Sequence, residues 1–203
     1  MMIIDIIQTL LFAVAPAIIL HECAHGLVAY WMGDDTAKNQ GRLTLNPIKH
    51  IDPVGSIIIP GALFLLHSSF LFGWAKPVPV NFRNIKNFRS GLILVAIAGP
   101  VTNIILALGY IWLYRLHVLP QMSDVWAWAI LFNIALCVFN LLPIPPLDGS
   151  RIVSGLLPRS WMVQYNRLET FGFVILLILS YLGMLKFLYP VMAWLGKCLG
   201  VEL

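Results

Sequence analysis

Two histidines and a glutamate lie close together inside a long apolar stretch near the amino terminus. His21, Glu22 and His25 form the pattern H-E-x-x-H within the apolar sequence 2–31. On a helix, positions i and i+4 share one face, so both histidines can direct a ring nitrogen at one metal ion. Glu22 projects roughly 100° around the helix from His21, where its carboxylate could take a proton from a water beside the metal. The spacing therefore predicts a metal centre with a general base.

A second acid completes the set of groups that could hold the metal. A charged side chain near the centre of a bilayer costs at least about 2.5–3.5 kcal/mol, so such groups are retained where they are paired, bound to a metal or functional. Asp148 is the only acid in the sequence 125–168 and lies among the prolines of 139–151, which predict irregular chain lining a cavity. A carboxylate would give a His2Asp zinc site with an open position for water. The charges of zinc, Asp148 and Glu22 would then sum to zero.

The composition identifies the class of protein. The chain has 203 residues, of which 60% are hydrophobic and 11% charged, whereas soluble domains carry about 25% charged residues. A chain so poor in charge cannot cover a soluble surface, so we expect an all-α polytopic membrane protein in contact with the lipid bilayer. The net charge is only +4, and no nucleic-acid partner is expected. Cys23, Cys137 and Cys198 show no CxxC spacing, which excludes a disulfide framework and a thiolate zinc site.

Several apolar stretches are long enough to cross a membrane, and one further stretch is interrupted. Core spans are predicted at about 2–31, 91–114, 125–142 and 171–185. The interrupted stretch is 54–80, and its end must be extended because Pro77 and Pro79 forbid a helix there. The tail 187–199 either extends the last span or lies at the membrane interface. We expect one integral membrane domain over 1–203.

The two chemical clusters can meet only if their spans run in the same direction. Each cluster lies roughly 22–27 Å of helix from the start of its span, at 1.5 Å per residue, and therefore toward the span's C-terminal end. The span 91–114 then runs in the opposite direction between them. Because the segment 32–90 must begin and end on one face of the membrane, we predict that 54–80 is re-entrant, with a short helix in and an extended β segment back.

Basic residues are distributed unevenly between the two predicted faces. Seven lie in 32–90 and three more in 143–169, while the opposite loop has Arg115 alone. Positively charged loops remain in the cytoplasm. The metal site is therefore predicted toward the cytoplasmic face of the cell membrane.

Three motifs occur in order on hydrophobic segments: HECAHG at 21–26, AGPVTN at 98–103 and NLLPIPPLDG at 140–149. Together they resemble the site-2 protease family of intramembrane zinc metalloproteases. GWAKPVPVN at 73–81 resembles the segment that follows the first core helix in many members. The resemblance covers roughly 21–151 and implies a transmembrane helical core and one zinc ion per chain. It assigns the zinc to His21, His25 and Asp148, with Glu22 as the general base.

The resemblance also implies a substrate, which is a transmembrane helix of another membrane protein, cut within or near the bilayer. Asn140 matches a residue that helps to hold the substrate or its oxyanion. Gly73, Trp74, Ala75 and Lys76 are predicted to contact the substrate, because an extended segment can pair its backbone with an unwound substrate. The chain resembles the small members of the family, without PDZ or CBS domains.

Two other functions remain open from the sequence. A catalytically silent relative would bind membrane segments as an adaptor, and the intact ligands and Glu22 argue against it. A metal transporter would carry several ligands along a path, but outside the cluster the spans hold only Asp5, near one end. The sequence leaves open both the identity of the substrate and a possible oligomer.

Overall fold

The fold is known from a computed structural model, which describes residues 3–66 and 73–200; within these ranges the chain is mainly α-helical and contains no strand. The prediction of an all-α polytopic protein is confirmed. The α-helices are, in chain order, α1 (Ile3–Thr9), α2 (Ala15–Trp31), α3 (Thr36–Asn39), α4 (Ile59–Leu65), α5 (Phe88–Arg115), α6 (Ser123–Asn140), α7 (Asp148–Leu156), α8 (Arg159–Asn166), α9 (Glu169–Tyr181) and α10 (Leu188–Cys198).

The described part of the chain contains three helices that are long and apolar enough to cross a membrane. They are Ile4–Trp31, which joins α1 to α2 through a π-helical turn, Phe88–Arg115 and Pro120–Asn140. A fourth crossing requires that α8 and α9, bent by 60°, form one broken span. The helix predicted over 171–185 ends at Tyr181, and Gly183 with its φ of 68° breaks the chain direction there. The protein is a multi-pass membrane protein.

Helix α5 packs between α2 and α6 and runs opposite to both. Along α2, Ala17 contacts Asn103 and His25 contacts Val95, so rising numbers on α2 meet falling numbers on α5. The same antiparallel order holds for α5 and α6, from the pairs Asn103–Asn133 and Tyr110–Trp126. As a result, α2 and α6 run in the same direction, and their C-terminal ends lie on the same side of the bundle.

Pro16 lies inside the first span without ending it. Proline has no N–H, so the carbonyl of Phe12 loses its helical donor. The hydroxyl of Tyr110 on α5 donates to that carbonyl at 2.6 Å. Transmembrane helices tolerate proline where a neighbouring helix satisfies the freed backbone group, and here the same bond ties the first span to α5.

The segment predicted to be re-entrant starts as a short helix and returns as extended chain. Pro53–Leu65 is apolar and helical, and its length of about 20 Å at 1.5 Å per residue is less than the bilayer core of about 30 Å. Residues 67–72 of this segment lie outside the described residues. The return, Gly73–Asn81, is extended, but the predicted β segment is not seen as a strand. The N–H groups of Trp74, Lys76, Val78 and Asn81 bond to acceptors outside the segment, and its two prolines have no N–H.

Asp34 fixes the end of this extended segment to the end of α2. Its buried carboxylate accepts hydrogen bonds from the N–H of Asn81 at 2.6 Å, from the side-chain amide of Asn84 at 2.9 Å, and from the hydroxyl of Thr36. Burial alone raises the pKa of Asp34, but the hydrogen bonds from Thr36, Asn81 and Asn84 outweigh it and hold the pKa below its usual range. The carboxylate is therefore charged at neutral pH and can hold the loop.

The C-terminal tail belongs to the helical bundle. Helix α10 packs against the cluster formed by α5 and α6 through Leu188, Met192, Leu195 and Leu199, the last just beyond its end. Arg115, at the end of α5, donates to the carbonyl of Gly200 at 2.6 Å. The tail thus ends beside the C-terminal end of α5, away from the C-terminal ends of α2 and α6.

Candidate active site

Three buried or nearly buried ligand atoms converge where the middle of α2 meets the start of α7. The two Nε2 atoms of His21 and His25 lie 3.0 Å apart, and Asp148 Oδ2 lies 3.2 Å from the first and 3.3 Å from the second. Within the described ranges this is the one group of three such side chains close enough to hold a metal. The chain is irregular through Leu147, as the prolines predict, but Asp148 itself is the first residue of α7, where a helix N-terminus favours a carboxylate.

The hydrogen bonds around the rings determine where the histidine protons lie. His25 Nδ1 is 2.6 Å from the carbonyl of Val95, and His21 Nδ1 is 2.6 Å from the side-chain oxygen of Asn103. Both partners can only accept, so each Nδ1 carries the proton and each neutral ring presents a lone pair at Nε2. Asp148 Oδ2 is buried, and no hydrogen bond from the described part of the chain reaches it. Three lone pairs therefore face one another, an arrangement that a cation between them would stabilise.

The spacing of these atoms fits zinc. Ligand atoms held about 2.0–2.1 Å from zinc at tetrahedral angles lie roughly 3.3 Å from one another. The observed separations are 3.0–3.3 Å. Two imidazoles and a carboxylate also form a ligand set that suits zinc and leaves a fourth position open. The unpaired oxygen of Asp148 and the set of two imidazoles and one carboxylate therefore both fit a bound zinc ion.

Gly99 on α5 makes room for this centre. A Cβ atom at this position would lie 2.5 Å from His21 Cε1, 2.5 Å from His25 Nε2 and 2.6 Å from His21 Nε2. The glycine of the AGPVTN motif thus lets α5 approach the two imidazoles directly, a role more specific than the close packing of two helices.

We expect Gly99→Ala to lower zinc affinity by about tenfold or more, in the range known for disturbed supporting groups, because the added methyl displaces both rings. Chelator competition on the purified protein measures this. Gly109→Ala is the matched control, since it lies on the same helix with no atom within 4 Å of an added Cβ. Equal zinc affinities in the two variants would contradict the assigned role of Gly99.

Glu22 faces the same cleft and is held by the extended segment. Its Oε2 accepts a hydrogen bond from the N–H of Val78 at 2.8 Å, and no hydrogen bond within the described part of the chain engages Oε1. One carboxylate oxygen is therefore anchored while the other is available. This is the arrangement needed for a group that accepts and returns a proton.

Arg42 fixes the backbone that donates the hydrogen bond to Glu22. Its buried guanidinium donates through Nη2 to the carbonyls of Lys76 and Pro77, at 2.8 and 3.3 Å. These two residues directly precede Val78, so the guanidinium fixes the backbone that holds Glu22. The N–H of Lys76 is bound in turn to the carbonyl of His50 at 2.9 Å.

A cleft of about 730 Å³ connects these groups. Of the residues predicted to contact substrate, Gly73, Trp74, Ala75 and Asn140 line the cleft, and Lys76 does not. Asn140 donates to the carbonyl of Leu136 at 2.9 Å, and no hydrogen bond among the described residues engages its side-chain oxygen. Trp74 packs edge-on against Phe173 of α9, with ring centroids 5.4 Å apart, so α9 forms part of the wall.

Some residues of the site have a role that the sequence did not single out. Asn133 is fully buried in α6 and bonds to Asn103, the partner of His21. Arg151 lines the cleft with its guanidinium 5.3 Å from the Phe82 ring and 4.0 Å from Glu169. The available signal for Asn133 was its polarity inside an apolar span, since such a residue needs a partner within the bundle.

Comparison with known proteins points to one family. The family described as Peptidase family M50 matches residues 117–182. A protein of Bacillus subtilis named "Putative zinc metalloprotease YwhC" is 46% identical over 173 residues, which cover 79% of this chain and 74% of the relative. Two mycobacterial proteins named "Putative zinc metalloprotease Rip2" are 29% identical (Mycolicibacterium smegmatis, 79% of this chain and 61% of the relative) and 30% identical (Mycobacterium tuberculosis H37Rv, 90% and 71%). No solved structure matches the chain.

Proposed function

Because this chain belongs to peptidase family M50, the site-2 protease family, we propose that it is a zinc-dependent endopeptidase that cuts the transmembrane segments of membrane-protein substrates. Metalloprotease activity and the zinc cofactor follow from the family. The cleavage of membrane-embedded helices is the finer part of the proposal. The single observation that carries the proposal of a zinc peptidase is the convergence of three lone pairs in a cleft that also contains Glu22.

His21, His25 and Asp148 would hold the zinc ion, which when bound polarises a scissile carbonyl and lowers the pKa of a water. Glu22 would serve as the general base, taking a proton from the attacking water and returning it to the leaving amine. The Val78 N–H keeps Glu22 Oε2 in place during both transfers. Asn140 lines the cleft at the end of α6 and would hold the substrate; to hold an oxyanion, its amide N–H would have to leave the carbonyl of Leu136.

The substrate must be extended before it can react. A helix hides its carbonyls in bonds from N–H of residue i to C=O of residue i−4, so a transmembrane substrate has to unwind locally. The extended segment 73–81 offers an edge for this purpose. Its Trp74, Lys76 and Val78 N–H groups bond inward to Gly55, His50 and Glu22, and the N–H of Ala75 between them has no partner among the described residues. Ala75 could therefore pair with an extended substrate by β-addition.

We expect Ala75→Pro to impair cleavage, with zinc content unchanged, because it removes the free N–H of Ala75 from this edge while suiting extended chain. Cleavage rate and zinc per chain are measured on the same preparation. Ala75→Ser, which keeps the N–H, is the control. Unimpaired cleavage in the proline variant would reject strand addition and leave the metal chemistry standing.

The proposed setting is the cell membrane, with the active site toward the cytoplasm. Support comes from the seven basic residues in 32–90 and from Pro53–Leu65, which is too short to cross alone. We expect single cysteines at Lys49 and Arg83, in a variant without the native three, to react with an impermeant thiol reagent from the same, cytoplasmic side. Labelling from opposite sides would show that 54–80 crosses the membrane fully.

The test of the proposed function is cleavage by the purified protein in lipid vesicles that contain reporter transmembrane segments. We expect a cut within the apolar segment, loss of activity with a chelator and recovery with zinc. Binding of the segments without cleavage would instead identify an adaptor. Metal uptake by the vesicles would identify a transporter, although the described residues offer one metal-binding cluster and no second site along a path.

A further inference from the structure

A chain of hydrogen bonds runs from α6 through α5 to the zinc-ligand candidate His21. Asn133 accepts a bond at 3.0 Å from the side-chain amide of Asn103, and the oxygen of Asn103 faces His21 Nδ1 at 2.6 Å. Asn103 and Asn133 are both fully buried. On this geometry, and resting on the proposed zinc site, we propose that Asn133 is a positioning residue that sets the tautomer of His21 by acting through Asn103.

The donor and the acceptor of each hydrogen bond in this series are determined by the other bonds that Asn133 and Asn103 make. Asn133 donates to the carbonyl of Ala129 at 2.8 Å, so its amide nitrogen faces its own helix and its oxygen faces α5. Asn103 has two N–H bonds to give, and these go to Asn133 and to the carbonyl of Ala17 at 3.1 Å. Both acceptors lie on one side of Asn103, which leaves its oxygen for His21.

The orientation of Asn103 decides the protonation of His21. With the Asn103 oxygen toward the ring, Nδ1 keeps the proton and Nε2 presents its lone pair to the metal. A flipped Asn103 amide would present an N–H to Nδ1 and move the proton to Nε2, where it would block the ligand position. The flip would also set the Asn103 oxygen against two acceptors. Asn133 supplies one of these acceptors, and it is the one that substitution can remove.

A purely structural role for Asn133 makes a different prediction. Asparagines in membrane helices often serve only to hold neighbouring helices together. Removal of such a contact would lower the stability of the bundle and leave the metal ligands unchanged. Zinc affinity and the geometry of the bound metal therefore separate the two roles.

The test uses the full chain purified in lipid or detergent, with zinc affinity measured by chelator competition and ligand geometry by the absorption spectrum of the cobalt-substituted protein. Asn133→Leu is close in size and lacks the acceptor. We expect it to weaken zinc binding by about 10–100-fold, as for other partners of metal-ligating histidines, and to change the cobalt spectrum. Asn133→Asp keeps an oxygen for Asn103 in either protonation state, so we expect affinity within a few-fold of the native chain, on the order of ordinary variation for a retained contact.

Thr102→Val is the matched control, because within the described residues the Thr102 hydroxyl bonds to its own helix alone, at the carbonyl of Ala98. Asn133→Ala, made in parallel, carries the same prediction as the leucine variant if leucine prevents folding. Native zinc affinity and an unchanged cobalt spectrum in the variants without the acceptor would overturn the proposal, as would a loss of thermal stability alone. An unsubstituted chain that binds no zinc would overturn the proposed function first and this inference with it.

Discussion

Replacement of Glu22 by glutamine is expected to abolish cleavage while the zinc remains. Glutamine has nearly the same shape, and its oxygen can still accept the hydrogen bond from Val78, but it cannot take a proton from water. General acid–base catalysis contributes about 10²–10⁴-fold, so we expect a loss of at least that size. The cleavage rate on reporter transmembrane segments measures the loss of activity, and the zinc content of the same sample shows whether the metal is retained.

Asp35→Asn makes the same kind of change at an exposed acid outside the cleft and should leave both values unchanged. Full activity of Glu22→Gln with zinc retained would mean that another group activates the water. Zinc lost from Glu22→Gln would make Glu22 a ligand rather than the base.

Replacement of Asp148 by asparagine is expected to remove both zinc and activity. The unpaired oxygen of Asp148 lies 3.2 and 3.3 Å from the two histidine nitrogens, and its charge balances part of the charge of a cation placed between them. Because this oxygen would contact the metal itself, we expect a larger loss of zinc affinity than the roughly 10–100-fold attributed to outer partners. Metal analysis after dialysis against a weak chelator measures the loss.

Asp124→Asn, an exposed acid at the start of α6, is the control for this variant. A folded Asp148→Asn protein that keeps one zinc per chain would exclude Asp148 as a ligand. In that case the third ligand would come from another group, although the course of α2 and α6 brings Asp148 to the two histidines.

The sequence predicts the parts of this molecule that follow from periodicity, composition and proline chemistry. The spacing of His21 and His25 places both on one helix face, and the prolines before Asp148 end α6 near the same depth. The requirement that the two clusters meet then gives the parallel course of α2 and α6. These inferences depend only on the helical rise per residue and on the free-energy cost of placing a charged side chain in the bilayer.

Other features depend on distances across the bundle that periodicity does not give. The role of Gly99 appears only when α5 is seen against the two imidazoles, and the link from Asn133 to His21 depends on the register of three helices. The extended segment was predicted as a strand, but its N–H groups bond to Gly55, His50 and Glu22 in place of a ladder. A sequence pattern indicates extended backbone without naming its hydrogen-bond partners.

X-ray absorption at the zinc edge of the purified protein reports the atoms bound to the metal, and therefore tests whether His21, His25 and Asp148 are the ligands. We expect one zinc per chain with nitrogen and oxygen ligands at about 2.0–2.2 Å, the scattering pattern of two imidazoles, and loss of one oxygen ligand in Asp148→Asn. A sulfur ligand at about 2.3 Å, or a zinc environment unchanged in Asp148→Asn, would contradict it.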